Sequence, residues 1–211
     1  RERLPGALVS NSWGMTEAGP SYCTLPIEEQ DRRIGSVGRP VPPMEVRIVG
    51  PDGDELPPDE VGELVVRNPG REREYLDDPE ATAATWRDGW LHTGDLARVD
   101  ADGYLYVVGR TKDVIIRGGV NVHAGDVEAV LYEHPAVQEA AVAGVPHDVL
   151  GEDVGAWVVL MPSAGGTDAD ELAAFCAERL SREKVPRAWT FLDALPRNPT
   201  GKVLKADLPR P

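Results

Sequence analysis

The sequence predicts an α+β fold in two parts, a β-rich stretch running to Arg110 and a small α+β unit after it. Three observations carry that expectation. Short β-branched runs separated by Gly, Pro and Asp clusters fill residues 34 to 110. Apolar residues then recur at helical spacing in two places, Val127, Val130 and Leu131, and Leu172, Phe175, Cys176 and Leu180. Those two stripes alternate with strand-like runs, so the second part mixes helices and strands.

Taken in order, Leu8 and Val9 read as a strand feeding a functional loop. Met44 to Val49 and Gly62 to Arg67 are strands separated by Pro51-Asp52-Gly53-Asp54 and a Pro57-Pro58 stop. Asp78-Pro79 opens an Ala-rich helix over residues 79 to 86, with proline in its first turn. Leu96 to Val99 and Tyr104 to Val108 flank Asp100-Ala101-Asp102-Gly103, a hairpin signal because glycine supplies the positive φ such turns use. Beyond Arg110, Val114-Ile115-Ile116 is a strand that Gly118-Gly119 breaks before the first helical stripe. Val137 to Val145 and Val154 to Met161 are strands, and Ser163-Ala164-Gly165-Gly166 is a loop. Thr167 or Asp168 caps the second helix, and Ala188 to Leu192 is a closing strand. The domain boundary falls at 110–113, giving domains 1–110 and 111–211, the second of about a hundred residues.

Composition narrows the function. With 41% hydrophobic and 27% charged residues among 211, the chain is ordinary for a globular protein with a core. A net charge of −14 argues against a nucleic-acid partner, which needs a basic stripe. No apolar run has transmembrane length and no signal peptide is visible. Cys23 and Cys176 form no spaced framework and read as reduced thiols in a cytoplasmic protein. Arg1-Glu2-Arg3-Leu4-Pro5 reads like the interior of a longer chain. His92, His123, His134 and His147 show no metal-ligand spacing, and neither a serine nor a cysteine sits in a nucleophile elbow.

Four segments carry chemistry: Trp13-Gly14-Met15-Thr16-Glu17, Thr93-Gly94-Asp95, Gly109-Arg110-Thr111-Lys112-Asp113, and Leu195-Pro196-Arg197-Asn198-Pro199-Thr200-Gly201-Lys202. Glu17 suits a hard ion that keeps waters and shares phosphate oxygens; alone it also reads as a solvated helix-start residue. Asp95 suits two ribose hydroxyls, or an Asx turn that Gly94 would favour. Arg110 suits a ribose or phosphate oxygen pair, or a surface ion pair with Asp113 or Glu128. Lys202 sits in a loop stiffened by Pro196 and Pro199 and freed beside it by Gly201, where its ammonium reaches a cleft as a point charge. Its other reading, a helix-start lysine, is disfavoured by the helix dipole. Together the four compose a nucleoside triphosphate site built from distant loops.

The order and wording of these segments resemble the adenylate-forming superfamily: AMP-dependent acyl-CoA synthetases, adenylation domains and firefly-type luciferases. The likeness runs from about Asn11 to Asp207 and includes Gly35-Ser36-Val37-Gly38-Arg39-Pro40, Gly62-Glu63-Leu64 and Asp77-Asp78-Pro79-Glu80-Ala81-Thr82. The resemblance implies the β-rich end of a large N-terminal domain, a distorted barrel subdomain, followed by a mobile C-terminal lid. It implies ATP or AMP contacts from Ser12, Trp13, Gly14, Met15, Thr16, Asp95, Arg110 and Lys202, magnesium at Glu17, and Lys202 as the catalytic cation. Lys112 occupies the hinge position, and Gly118 and Gly119 lie where coenzyme A approaches. Without the family, Gly118-Gly119 is a turn between strand and helix. The implied activity is ATP-dependent activation of a carboxylic acid, fatty or aryl, followed by thioester formation with coenzyme A. Two alternatives stay open: transfer to a carrier protein, and a non-catalytic nucleotide-binding relative. Departures are Trp13 in place of the usual tyrosine, Lys205 for the closing arginine, Gly125, and the charged run Arg71-Glu72-Arg73-Glu74. The family's Ser/Thr/Gly-rich phosphate loop is not in this sequence, which predicts that the chain alone is inactive.

Overall fold

Antiparallel hairpins build most of the first half. The computed structural model describes residues 7–69 and 73–210, so the readings placed on residues 1–5 and on Arg71 and Glu72 lie outside the described residues. The chain divides into two units, Arg1–Thr111 and Lys112–Pro211.

In the first unit, β1 (Ser12–Met15), β2 (Gly19–Thr24) and β3 (Arg39–Pro40) form a three-stranded sheet in that order. The strands β4 (Glu45–Val49), β5 (Gly62–Arg67), β6 (Trp86–Arg87), β7 (Trp90–Val99) and β8 (Leu105–Arg110) form a second sheet, ordered β4-β5-β7-β6 with β8 also on β7. Between β5 and β6 lies helix α1 (Pro79–Thr85), capped by the Asp78 carboxylate accepting from the Ala81 N–H at 2.9 Å. The core collects Tyr22, Cys23, Ile48, Leu64, Val66, Leu91, Ala97 and Leu105.

One expectation fails at the start. Leu8 and Val9 are exposed and outside any strand; pairing begins at Ser12↔Thr24, so the Trp-Gly-Met segment is itself the strand. Its alternation explains this: Trp13 and Met15 pack on the core while Ser12 and Gly14 are exposed.

In the second unit, β9 (Val114–Arg117), β10 (Val120–His123), β11 (Val137–His147), β12 (Gly151–Leu160) and β13 (Ala188–Phe191) form one sheet, ordered β10-β9-β12-β11 with β13 parallel to β12. Since β11 pairs along β12 from Gly151 to Leu160, β9 and β13 share the other edge of β12. Gly118-Gly119 joins two strands, not a strand and a helix. Both glycines have positive φ, 57° and 85°, as a two-residue hairpin turn requires, and this folds Val120–His123 back onto Val114–Arg117.

Helices α2 (Ala124–Tyr132) and α3 (Ala169–Ala177) bury Val127, Leu131, Leu172 and Cys176 against Ile115, Val142, Val154 and Val158. Asp168, not Thr167, caps α3, accepting from the Glu171 N–H at 3.0 Å. Phe175 leaves the predicted stripe: it meets His134 edge-on, with centroids 4.8 Å apart, and carries Arg179 over its ring. A second apolar layer, Ala141, Trp157, Val159 and Leu195 with Val203 and Leu208 against it, lines the β11–β12 residues that alternate with those of the first.

Both thiols are free and buried. Burial pushes Cys23 up to about 12 and Cys176 up to about 11, the latter against the pull of Arg179. Native protein at pH 8 is therefore expected to resist a disulfide-exchange reagent such as Ellman's, with both thiols reacting only after denaturation. Rapid labelling of either in the folded state would contradict their burial.

Candidate functional site

Asp95 is presented by a bulge. Between the pairs Glu63↔Leu96 and Val65↔His92, Leu64 alone faces Thr93, Gly94 and Asp95. Gly94 has φ 69°, and the Thr93 hydroxyl replaces the lost ladder by donating to the Leu64 carbonyl at 2.7 Å and accepting from the Asp95 N–H at 3.0 Å. The Thr-Gly-Asp sequence thus has a local explanation: a buried hydroxyl to satisfy the backbone, a glycine for the kink, and an acid re-aimed by it.

Asp95 is the cross-strand partner of Arg110, and Arg110 Nε lies 3.1 Å from Asp95 Oδ1. That pair is ionic; the N–H is not directed along a hydrogen bond. The other oxygen of Asp95, Oδ2, accepts from the Trp13 indole N–H at 3.1 Å. Trp13, Asp95 and Arg110 are thereby brought together across both sheets of the first unit. The carboxylate is 19% exposed and the guanidinium 36%, so both remain open to a ligand.

Thr16 and Glu17 lie elsewhere, in the turn closing the β1–β2 hairpin, where Met15 pairs with Gly19. Glu17 lines a cavity of about 620 Å³ with Ala18, Tyr22, Arg67, Arg73 and Trp86. Neither Asp95 nor Arg110 lines it. Tyr22 connects the two places, standing edge-on to Trp13 at 6.0 Å while facing the cavity. Its hydroxyl is pushed up to about 12, first by burial and then by Cys23 and Glu45.

Glu17 has one protein partner for its carboxylate among the described hydrogen bonds: Tyr75 donates its hydroxyl to Oε1 at 3.0 Å. The Arg73 guanidinium donates to the Thr16 carbonyl. Sequence reasoning missed both residues. The Asp-Asp-Pro helix start that follows was legible, but nothing in the chain signals that Tyr75 meets a residue 58 positions earlier. Among the described residues no three His, Cys, Asp or Glu side chains gather as a metal cage. A lone half-buried carboxylate beside a cavity fits an ion held mainly by phosphate and water, the habit of magnesium.

In the second unit, Lys202 is exposed at the end of a tight loop organised by Asn198. The Asn198 Oδ1 accepts from the Thr200 N–H at 3.1 Å, the Thr200 hydroxyl at 2.8 Å and the Lys202 N–H at 2.8 Å. Gly201 has φ 86°, and Arg197 pairs with Glu139 at 2.9 Å. Lys205 is held differently: its Nζ lies 2.8 Å from the Val142 carbonyl and 2.8 Å from Glu128 Oε1. It anchors the strand below the loop, so its replacement of arginine keeps a charge that the fold uses. Lys112 is exposed in a 3-10 turn, Thr111–Asp113, at the point where the two units divide. Gly118 and Gly119 are exposed at the β9–β10 turn, and the Gly118 N–H donates to the Leu150 carbonyl at 2.9 Å.

Comparisons with known proteins identify the family. Residues 126–202 match the model of the AMP-binding enzyme C-terminal domain, and residues 1–76 that of the AMP-binding enzyme. The chain belongs to the AMP-binding, adenylate-forming enzymes. It is 44% identical over 205 residues to a feruloyl-CoA synthase of Amycolatopsis sp, covering 97% of this chain and 42% of that protein. A 2-succinylbenzoate–CoA ligase of Geobacillus kaustophilus is also 44% identical over 205 residues, 97% of this chain and 41% of its own length. Among solved structures, the o-succinylbenzoate CoA synthetase of Bacillus subtilis with its acyl-adenylate intermediate superposes with a TM-score of 0.88 at 39% identity, over 96% of this chain and 41% of that one. The same enzyme in complex with ATP and magnesium ion gives 0.86 at 39% identity, over 94% and 41%. The chain therefore spans about two fifths of the length of the curated relatives it matches. Among its described residues, no helix is long and apolar enough to cross a membrane.

Proposed function

We propose that the chain is the C-terminal part of an AMP-forming acid–CoA ligase, with residues 1–110 completing the AMP-binding domain and 111–211 forming the lid. A substrate carboxylate oxygen attacks the α-phosphorus of ATP, the bond to the bridging oxygen breaks, and pyrophosphate leaves. The coenzyme A thiol then attacks the acyl carbon of the adenylate and AMP departs, leaving a thioester. Such transfers depend on positioning and on neutralising charge between two anions.

The observation that carries the reading is the Trp13–Asp95–Arg110 cluster. Asp95 is fixed from both sides yet keeps acceptor capacity on each oxygen, which suits the two hydroxyls of a ribose. Arg110 offers its remaining donors to ribose or phosphate oxygens, Trp13 and the exposed Gly14 edge suit the purine, Ser12 and Met15 complete the strand beside it, and Thr16 follows in the turn. Glu17 holds magnesium, which when bound shields the phosphate charge. Lys202 supplies the cation between carboxylate and α-phosphate. Lys112 is the hinge about which the lid turns after adenylation, and Gly118-Gly119 admits the pantetheine arm. The names of the feruloyl and succinylbenzoate relatives favour an aryl acid over a fatty one. The buried thiols suit a reducing, cytoplasmic compartment.

The full-length protein, given Mg·ATP and a panel of aryl and fatty acids, is expected to release pyrophosphate only with its own acid class. Mass spectrometry is expected to find the acyl group on coenzyme A and not on a phosphopantetheinylated carrier protein. The 211-residue chain alone is expected to turn over no ATP. Acylation of the carrier alone would move the acceptor, and calorimetry detecting neither ATP nor AMP binding would overturn the enzymatic reading.

A further inference from the structure

The segment between β5 and β6 does more than connect strands. Tyr75 enters it with its backbone N–H donating to the Thr82 hydroxyl at 2.9 Å, and that hydroxyl donates in turn to the Asp78 carbonyl at 2.8 Å. The Tyr75 ring stands edge-on to Trp86, centroids 5.3 Å apart. Helix α1, started by Asp78 and Pro79, thus holds Tyr75 at its middle residue, Thr82, and at its C-cap, Trp86. The result is a phenol aimed at Glu17 Oε1, 3.0 Å away, while Arg73 two residues earlier holds the carbonyl of Thr16.

From this arrangement we infer that Tyr75 is a positioning residue: it binds one oxygen of Glu17 and so turns the other, Oε2, toward the metal ion of the nucleotide. The inference rests on the reading of Glu17 as the magnesium carboxylate and adds how that carboxylate is aimed. A free glutamate in a hairpin turn has three rotatable side-chain bonds, and fixing one oxygen removes much of that freedom before the ion arrives. The group is suited to donate. A phenol has one O–H to give, and here it is given to the carboxylate. Residues Asp78, Thr82 and Trp86, which the sequence presents as the start, middle and end of a plain helix, then have a second use as the frame that orients the phenol.

The test compares wild-type, Tyr75→Phe, Thr82→Val and Glu17→Gln forms of the full-length enzyme. Manganese replaces magnesium, and free manganese is counted by electron paramagnetic resonance in the presence of a non-hydrolysable ATP analogue. Tyr75→Phe is expected to weaken manganese about 10-fold, in the range found when partners of metal-ligating residues are removed. Thr82→Val is expected to act in the same direction and less. Affinity for the metal-free analogue, measured with EDTA, and the melting temperature of Tyr75→Phe are expected to stay at wild type. If Tyr75→Phe binds manganese normally while Glu17→Gln loses it, Tyr75 does not position Glu17, although Glu17 keeps its role. Equal losses of metal-bound and metal-free nucleotide in Tyr75→Phe would make its role structural and overturn the inference. Unchanged manganese affinity in Glu17→Gln would remove Glu17 from the metal, and the inference would fall with it.

Discussion

Replacing Lys202 with alanine in the full-length protein is expected to lower acid-dependent pyrophosphate release by at least about 100-fold, the scale seen when one preorganised donor to a developing charge is deleted. The protein is expected to keep its melting temperature. Lys202 is exposed, and the loop is held by its backbone: the N–H that binds Asn198 Oδ1 survives the substitution. Thioester formation from added acyl-adenylate is expected to stay near wild type, because the charge is needed only where two anions meet. Wild-type pyrophosphate release by the variant would remove Lys202 from the reaction.

The second large effect is on stability. Asp153 is buried on β12, and its Oδ1 receives Arg117 Nε at 2.5 Å and the Val154 N–H at 2.8 Å. Burial alone would push this carboxyl up. The Arg117 hydrogen bond, the Val154 N–H and the charge of Arg117 outweigh it and hold the carboxyl below its usual range. Arg117→Met strands the carboxylate and is expected to cost about 3–5 kcal/mol at pH 7 by urea denaturation.

The sign with pH follows from the direction of the shift. A depressed group contributes stability above its unfolded value, about 3.9, and that stability is lost as pH falls through the lower folded value. In the variant, burial without Arg117 raises the same group. The gap between wild type and variant is therefore expected to be widest near neutral pH and to narrow below about pH 4. A gap that does not change with pH would mean that packing of the arginine stem, not its charge, sets the effect.

Much of the fold was legible because hairpins and caps are local. Gly62 to Arg67 matches β5 end for end, Asp78-Pro79 starts α1, and Asp100 to Gly103 turns β7 into β8. Counting outward from that turn brings Asp95 opposite Gly109; a bulge between Ala97 and Leu96 moves it one further, opposite Arg110. What escaped was of two kinds. Val120–His123 is too short to announce itself and exists because two glycines with positive φ return it to β9. Contacts such as Trp13 to Asp95 and Tyr75 to Glu17 join residues 82 and 58 positions apart, and no periodicity records them. The resemblance suggested roles for Glu17, Asp95 and Lys202 and named Trp13 and Arg110 beside Asp95; Tyr75, which holds Glu17, came only from the coordinates.

The tail that carries Lys202 also roofs one side of the second sheet. Leu195, Val203 and Leu208 press on Trp157 and Val159, Trp157 donates its indole N–H to the Pro209 carbonyl at 2.8 Å, and Lys205 is tied to β11. The proposed reactivity and the observed shelter therefore share the same fifteen or so residues, counted from Leu195 to Pro209. A descendant that abandoned catalysis would still have to keep this covering or leave a tryptophan and its aliphatic neighbours wet. Survival of the tail says little about whether such a protein still works; survival of the ammonium on its rim, which shelters nothing, says a good deal.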